Sequence, residues 1–251
     1  MNRRGFLAAG VGVGGMLAGC TGSSDDGGDG TGEADSSGTD DGDGGGDATA
    51  SPTPTDDGQP LDTHPAAADM VSQPTLGPDP GDALAVIIAY EDPSCPRCAN
   101  FETEVVPQLR SNHVEAGDLS LVFRGYPVVF EWGERATRSL EAAYDRSADA
   151  HWALADHYFE NQDDYRYNDL SEVYPKTESF LAEETDLDAT TVVQEATEGA
   201  YDDVVQTDLD AGMAAGAQEI TPHLFMFRDG TYQTKATGYV SYDLLTSALQ
   251  L

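Results

Sequence analysis

The chain has 251 residues, 46 of them acidic and 12 basic, for a formal charge of −34 at pH 7. Its cations are ten arginines and two lysines, Lys176 and Lys235, with no basic patch to release counterions. Nucleic acid and anionic membrane surfaces are therefore excluded as electrostatic partners, and the length allows one large domain or two small ones.

Residues 1–20 read MNRRGFLAAGVGVGGMLAGC. The apolar run from Phe6 to Ala18 falls short of the ~20 residues a membrane span requires. Arg3 and Arg4 ahead of Phe6 and Leu7 resemble a twin-arginine translocation signal, and Leu17-Ala18-Gly19-Cys20 resembles a lipoprotein lipobox. Together they imply export, removal of a signal peptide at 1–19, and lipidation of the Cys20 sulfur. The mature protein is then anchored by lipid at the outer face of the cytoplasmic membrane. From Thr21 to about Pro60 the chain is Gly, Ser, Thr and Asp with almost no large apolar side chain. Such a segment cannot offset the entropy of ordering, so 20–65 is read as a lipidated, disordered acidic tether whose like charges keep it extended.

Beyond the tether, residues 61–251 still carry 35 acidic against 10 basic residues. Self-repulsion on that scale destabilises a compact state in dilute buffer. Molar salt shortens the Debye length to about 3 Å and removes most of the penalty. The expectation is a halophilic, haloarchaeal-type protein.

In chain order, QPTLGPDPGD is a Pro- and Gly-punctuated approach to a folded domain. Ala83 to Tyr90 (ALAVIIAY) is nearly continuous in apolar residues, as a central strand buried on both faces would be. After a short loop, Phe101, Val105, Val106 and Leu109 recur at helical spacing, which predicts a helix over 97–109 with Pro107 kinking it. LSLVFRGYPVV, 119–129, reads as a second strand ending at Pro127. Between about 131 and 220 the patterns are helical: 131–146, 151–160, 177–183, 189–198 and 201–217. That is far more than one crossover helix, and predicts a helical subdomain between two halves of a sheet. HLFMF, Asp229-Gly230 and TYQTKATGY form a hairpin signature, and 242–249 a closing helix. The expected fold class is α/β with a mixed central sheet, its domain running over 66–251 with the insertion at about 131–220.

Cys95 and Cys98, in EDPSCPRC, are the free thiols left if Cys20 is lipidated. A disulfide between them closes almost no loop and so stabilises little. Structural zinc takes four ligands, and His151 and His157, six apart, do not supply the usual second pair. A c-type haem requires His after the second cysteine, and position 99 is Ala. A redox role fits position: Cys95 precedes a helix whose unpaired amides favour a thiolate, with Pro96 as a first-turn residue and cationic Arg97 beside it. Glu91 and Asp92 oppose ionisation, but the dipole and Arg97 at contact distance outweigh them. Cys95 is expected to be the reactive thiolate and Cys98 the resolving partner.

With these residues in view, the chain from about Pro74 to Leu251 resembles the DsbA-like branch of the thioredoxin superfamily, exported thiol-disulfide oxidoreductases. LGPDPGDALAVIIAYEDPSCPRC is similar to the family's lead-in, first strand, acid three before the motif and active site. FRGYPV resembles the next strand, HWALADHYFENQ the helical insertion, and ITPHLFMFRDG the segment with the cis-proline. The resemblance implies a thioredoxin-like fold. It implies that Cys95 forms mixed disulfides and Cys98 resolves them, and that Thr221 and Pro222 lie against Cys95, where Thr221 pairs with a substrate backbone. It also implies no cofactor beyond the Cys95–Cys98 disulfide. The partners it implies are protein or peptide thiols and disulfides and a separate redox partner that resets the pair. Pro96-Arg97 departs from the Pro-His of the best-known oxidases, which leaves the redox direction open among oxidase, reductase and isomerase.

Other residues have plainer readings. Asp92 is read as a solvated loop carboxylate, with proton exchange at Cys98 as the alternative. Tyr158, Tyr165, Tyr167 and Tyr174 are read as packing in the helical subdomain rather than as the floor of a peptide groove. His223 faces either the active site or the far side of the sheet. The expected protein is a monomeric, lipid-anchored dithiol oxidase, with a reductase or maturation factor for a surface protein as the alternative. A copper-delivery lipoprotein using Cys95, Cys98 and His223 and a redox-inert binding lipoprotein are the rivals.

Overall fold

The computed structural model describes residues 58–251; the signal, Cys20 and the tether up to residue 57 lie outside the described residues. The expected boundary at residue 66 comes too late. Leu61 N–H donates to Gly230 O at 2.8 Å, Tyr232 N–H donates to Gln59 O at 2.8 Å, and Leu61, His64 and Ala66 are buried. This leading strap carries few large apolar side chains, so composition alone reads it as tether. Backbone hydrogen bonds and the Arg124 guanidinium, which donates to Ala66 O and Ala68 O, hold it down.

The strands are β1 (Thr75–Leu76), β2 (Ala85–Glu91), β3 (Leu119–Gly125), β4 (His223–Arg228) and β5 (Thr231–Thr237), in sheet order β1-β3-β2-β4-β5. β2 and β3 are parallel, and the other neighbours are antiparallel. β2 is buried at every position, as its unbroken apolar run requires of a central strand. The β4–β5 hairpin turns through Asp229 and Gly230, at φ 49° and 70°, the left-handed pair a tight hairpin demands.

Between β2 and β3 the chain is helical: α1 (Pro96–Asn100), a π-helical turn (Phe101–Val105), α2 (Val106–Leu109) and a second π turn (Arg110–Val114). Pro107 sits in the first turn of α2 and starts it rather than kinking a continuous helix. Between β3 and β4 lie α3 (Glu131–Tyr144), α4 (Ala148–Glu160), α5 (Gln162–Arg166), α6 (Val173–Glu184), α7 (Ala189–Thr197) and α8 (Asp202–Ala214). α9 (Tyr242–Leu249) closes the chain. Side chains of Ser147, Asp188 and Ser241 accept backbone N–H groups at the starts of α4, α7 and α9.

Strand alternation sorts the core into faces. Ala85, Ile87 and Ala89 pack with Phe101, Val105, Leu109 and α9. Val86, Ile88 and Tyr90 face the leading strap, α8 and Phe225. The helical insert builds its own core around Trp132, Leu140, Leu154 and Tyr158, and this core reaches Cys95 and Cys98. The dithiol therefore sits where sheet and insert meet.

Candidate active site

Cys95 is the N-cap of α1 and Pro96 its first residue. The turn into the helix is fixed from three sides. Cys95 N–H donates to Asp92 O at 2.9 Å. The Gln162 amide, from the start of α5, donates to Pro93 O at 2.7 Å and Cys95 O at 2.9 Å. The Asp92 carboxylate accepts from Ser94 N–H at 2.7 Å, Ser94 Oγ at 2.6 Å, Val128 N–H at 2.9 Å and Val129 N–H at 2.7 Å. Asp92 is thus fully buried, not solvated, and it joins the cysteine loop to the loop after β3. Burial pushes its pKa up to about 6 against the pull of those donors.

Across the chain, the Thr221–Pro222 peptide is cis, and the Cys95 thiol donates to Thr221 O at 3.4 Å. The Cys95 pKa is lowered to about 5, first by its contact with Cys98, then by the Thr221 hydroxyl and the amides of Cys98 and Arg97, against the effect of burial. Arg97 therefore contributes its backbone N–H. Its side chain runs beside Gly238, whose own N–H donates to Pro222 O. Cys98, fully buried, accepts Asp92 N–H at 3.5 Å. Burial pushes its thiol well up, helped by the charges of Glu91 and Cys95. The pair is asymmetric, with an acidic thiol at the cap and a reluctant one a turn inside.

Two further carboxyls lie beneath the pair. Glu91 ends β2 on the face of Ala85, Ile87 and Ala89 and is buried, as is Glu102, one turn after Cys98. Sequence reasoning treated Glu91 only as a like charge near Cys95 and passed over Glu102. The spacing of four between Cys98 and Glu102 was the available signal, since it places both on one side of a helix.

His223 faces away from the dithiol. It stacks with Phe225 on the opposite side of the sheet, accepts Gln218 N–H at Nε2 and meets Thr237 Oγ1 at Nδ1. The copper set of Cys95, Cys98 and His223 is therefore not assembled, and among the described residues no three potential metal ligands cluster. Tyr158 and Tyr165 are buried and Tyr174 packs against the same core. Tyr167 is instead 74% exposed, beside Arg166, which also lies over the Phe130 ring.

A mixed sheet of this order, a helical insert, and a Cys-x-x-Cys pair capping a helix opposite a cis-proline define a thioredoxin-like α/β protein. The thioredoxin family model matches residues 74–239, and the chain belongs to that family. A probable disulfide bond formation protein D of Bacillus cereus is 28% identical over 91 residues, 36% of this chain and 41% of the relative. Disulfide bond formation protein D of Bacillus subtilis is 26% identical over 92 residues, 37% of this chain and 40% of the relative. The match thus spans about two fifths of those relatives. Among solved structures, oxidised BdbD of Bacillus subtilis superposes with a TM-score of 0.61 at 19% identity, over 72% of this chain and 92% of that one. The alpha-DsbA1 protein of Wolbachia pipientis gives 0.60 at 20% identity, over 71% and 89%. At these identities the structural likeness is one of fold.

Proposed function

We propose that this protein is a thiol-disulfide oxidoreductase working as a dithiol oxidase on exported proteins. The observation that carries the reading is the asymmetry of the pair, with the Cys95 pKa near 5 and that of Cys98 raised. A thiolate stabilised in the reduced enzyme makes the corresponding disulfide a stronger oxidant. A substrate thiolate attacks Cys95 Sγ of the Cys95–Cys98 disulfide, forming a mixed disulfide and releasing Cys98 as a thiolate that takes up a proton. A second substrate thiolate then attacks its own sulfur in the mixed disulfide, and Cys95 leaves as a stable thiolate. Two electrons pass to the enzyme, and a redox partner bearing a disulfide or equivalent oxidant removes them. The backbone of Thr221, beside Cys95, pairs with the incoming chain.

The disulfide bond formation proteins among its relatives support this reading. The twin-arginine and lipobox signatures support export and anchoring through lipid on Cys20. The acidic excess supports a halophilic, haloarchaeal-type setting and a monomer that works in molar salt. The test is oxidation of a reduced two-cysteine peptide by the oxidised protein in molar salt. One peptide disulfide should form per Cys95–Cys98 pair, and Cys95→Ser should abolish it. A peptide left reduced would overturn the assignment, and transfer in the opposite sense would make the protein a reductase.

A further inference from the structure

The dithiol is bordered by two cations that the fold does not use. Arg97 follows Pro96 in α1 and is half-buried, its Cδ 3.7 Å from where a Cβ on Gly238 would stand. Gly238 N–H donates to Pro222 O at 2.9 Å, so this arginine borders the Thr221–Pro222 side of Cys95. Arg166 borders the other side. It ends α5, one turn after Gln162, whose amide holds Pro93 O and Cys95 O. Its guanidinium lies 4.9 Å from the centre of the Phe130 ring and 5.5 Å from that of Tyr167. Phe130 N–H donates to Ser94 Oγ at 3.0 Å, next to Cys95. Arg166, Phe130 and Tyr167 are exposed, as is Tyr239 beside Gly238.

Among the described residues neither guanidinium donates a hydrogen bond, and no carboxylate oxygen lies within 4.0 Å of either. The other cations are occupied. Arg124, Arg138, Arg146 and Arg228 form ion pairs. Arg135, Lys176 and Lys235 donate to backbone carbonyls, and Arg110 shares a cavity wall with Glu102 and Asp156. In a domain with 35 acidic residues against 10 basic, cations kept clear of carboxylates on both sides of a reactive sulfur leave their charge for a ligand. Stacking on Phe130 and Tyr167 holds the Arg166 plane while its N–H edge stays open to a carboxylate.

We propose that Arg97 and Arg166 select substrate segments with acidic residues flanking the cysteine. The proposal rests on the oxidoreductase reading and names the substrate class of that same site. A substrate chain extended along Thr221 advances about 3.3 Å per residue, so carboxylates two or three residues from its cysteine reach about 7–10 Å to either side. Tyr239 and Phe130 offer apolar contact between these points. A long polyanion does not fit, because the carboxylates beyond the two arginines repel it. In molar salt the Debye length is about 3 Å, so the selection acts through contact pairs and not through long-range steering.

The experiment compares three reduced two-cysteine peptides with one core sequence and Asp, Ser or Lys on both sides of the first cysteine. Each is oxidised by the oxidised full-length protein in molar salt, and kcat/KM is divided by the same peptide's rate with oxidised glutathione, which removes the effect of neighbouring charge on the peptide thiol. An exposed ion pair changes an equilibrium by up to about fivefold, so two should favour the Asp peptide over the Ser peptide by about three- to tenfold, with the Lys peptide slowest. Arg166→Gln should reduce the Asp preference, Arg97→Gln with Arg166→Gln should abolish it, and Arg166→Glu should shift the order towards the Lys peptide. Equal normalised rates in the wild type would overturn the proposal while leaving the oxidoreductase reading intact. So would an Asp preference that persists in the double variant. Oxidation of none of the peptides would sink the oxidoreductase reading and the proposal with it.

Discussion

The Cys95 thiol donates to the backbone carbonyl of Thr221 at 3.4 Å, across 126 positions of sequence. The same residue's hydroxyl, otherwise without a partner, is one of the groups that lower the Cys95 pKa. Thr221 therefore bonds the thiol through its carbonyl, while its hydroxyl favours the thiolate. Thiolate absorbance on the reduced protein should report one group titrating near pH 5, with Cys98 silent through neutral pH. Thr221→Val should raise the lower value by on the order of one unit, about 1.4 kcal/mol. An unchanged value would remove the hydroxyl from the account.

Asp92 is the hub of the loops around the dithiol, and of its four donors Ser94 Oγ alone has another acceptor, Phe130 O at 3.5 Å. Asp92→Ala should cost on the order of 3 kcal/mol, as buried donors lose their partner. Gly133 supplies an independent check, because a Cβ there would stand 2.3 Å from Asp92 Oδ1. Gly133→Ala should lower stability in the same direction, read by denaturant unfolding in molar salt. Wild-type stability in both variants would show that the loops do not depend on this carboxylate.

Arg124 and Asp208 form an ion pair at 2.5 Å with neither side chain exposed, and Gln73 Nε2 and Gly125 N–H also reach Asp208. Arg124→Ala leaves Asp208 without its cation and takes a donor from the carbonyls of Ala66, which keeps the Tyr90 hydroxyl, and Ala68, so a loss of about 3–5 kcal/mol is expected. That loss should change little with salt, since screening hardly reaches a buried pair. A loss that vanished in molar salt would place the pair at the surface.

Five buried carboxyls, Glu91, Asp92, Glu102, Glu141 and Asp208, are raised chiefly by burial, Asp92 to about 6, Glu102 to about 7 and Glu141 to about 8. Their folded values lie above the ordinary carboxylate range near 4. Between about pH 4 and pH 8 the folded state therefore holds more protons than the unfolded chain, and stability falls as pH rises through that window. Oxidised protein in molar salt should melt at lower temperature at pH 8 than at pH 5, and Glu141→Gln should reduce the slope. Stability that rose with pH over this range would contradict the raised values of these buried carboxyls.

Much of this architecture was legible in the sequence because it rests on local patterns. The apolar run of β2, the Asp229-Gly230 hairpin, α9 at 242–249 and the all-helical stretch between β3 and β4 follow from periodicity and turn chemistry. β1 escaped, being two residues in a Pro- and Gly-rich approach that pairs only through β3. The strap around Leu61 escaped because distant groups, Gly230 and Arg124, hold it. At the site, Cys95 and Cys98 were visible from spacing. The state of Asp92, Glu91 and Glu102 was not, since in a chain with 46 acidic residues a buried carboxylate looks like any solvated one. The face of His223 was equally hidden until the β4 register placed it opposite the dithiol.

The most direct measurement is the equilibrium of the Cys95–Cys98 disulfide against glutathione buffers in molar salt, read by Trp fluorescence of the full-length protein. A stabilised Cys95 thiolate predicts a potential on the oxidising side of about −200 mV, above the cytosolic glutathione poise. A potential near or below about −270 mV, where thioredoxin lies, would contradict the oxidase assignment.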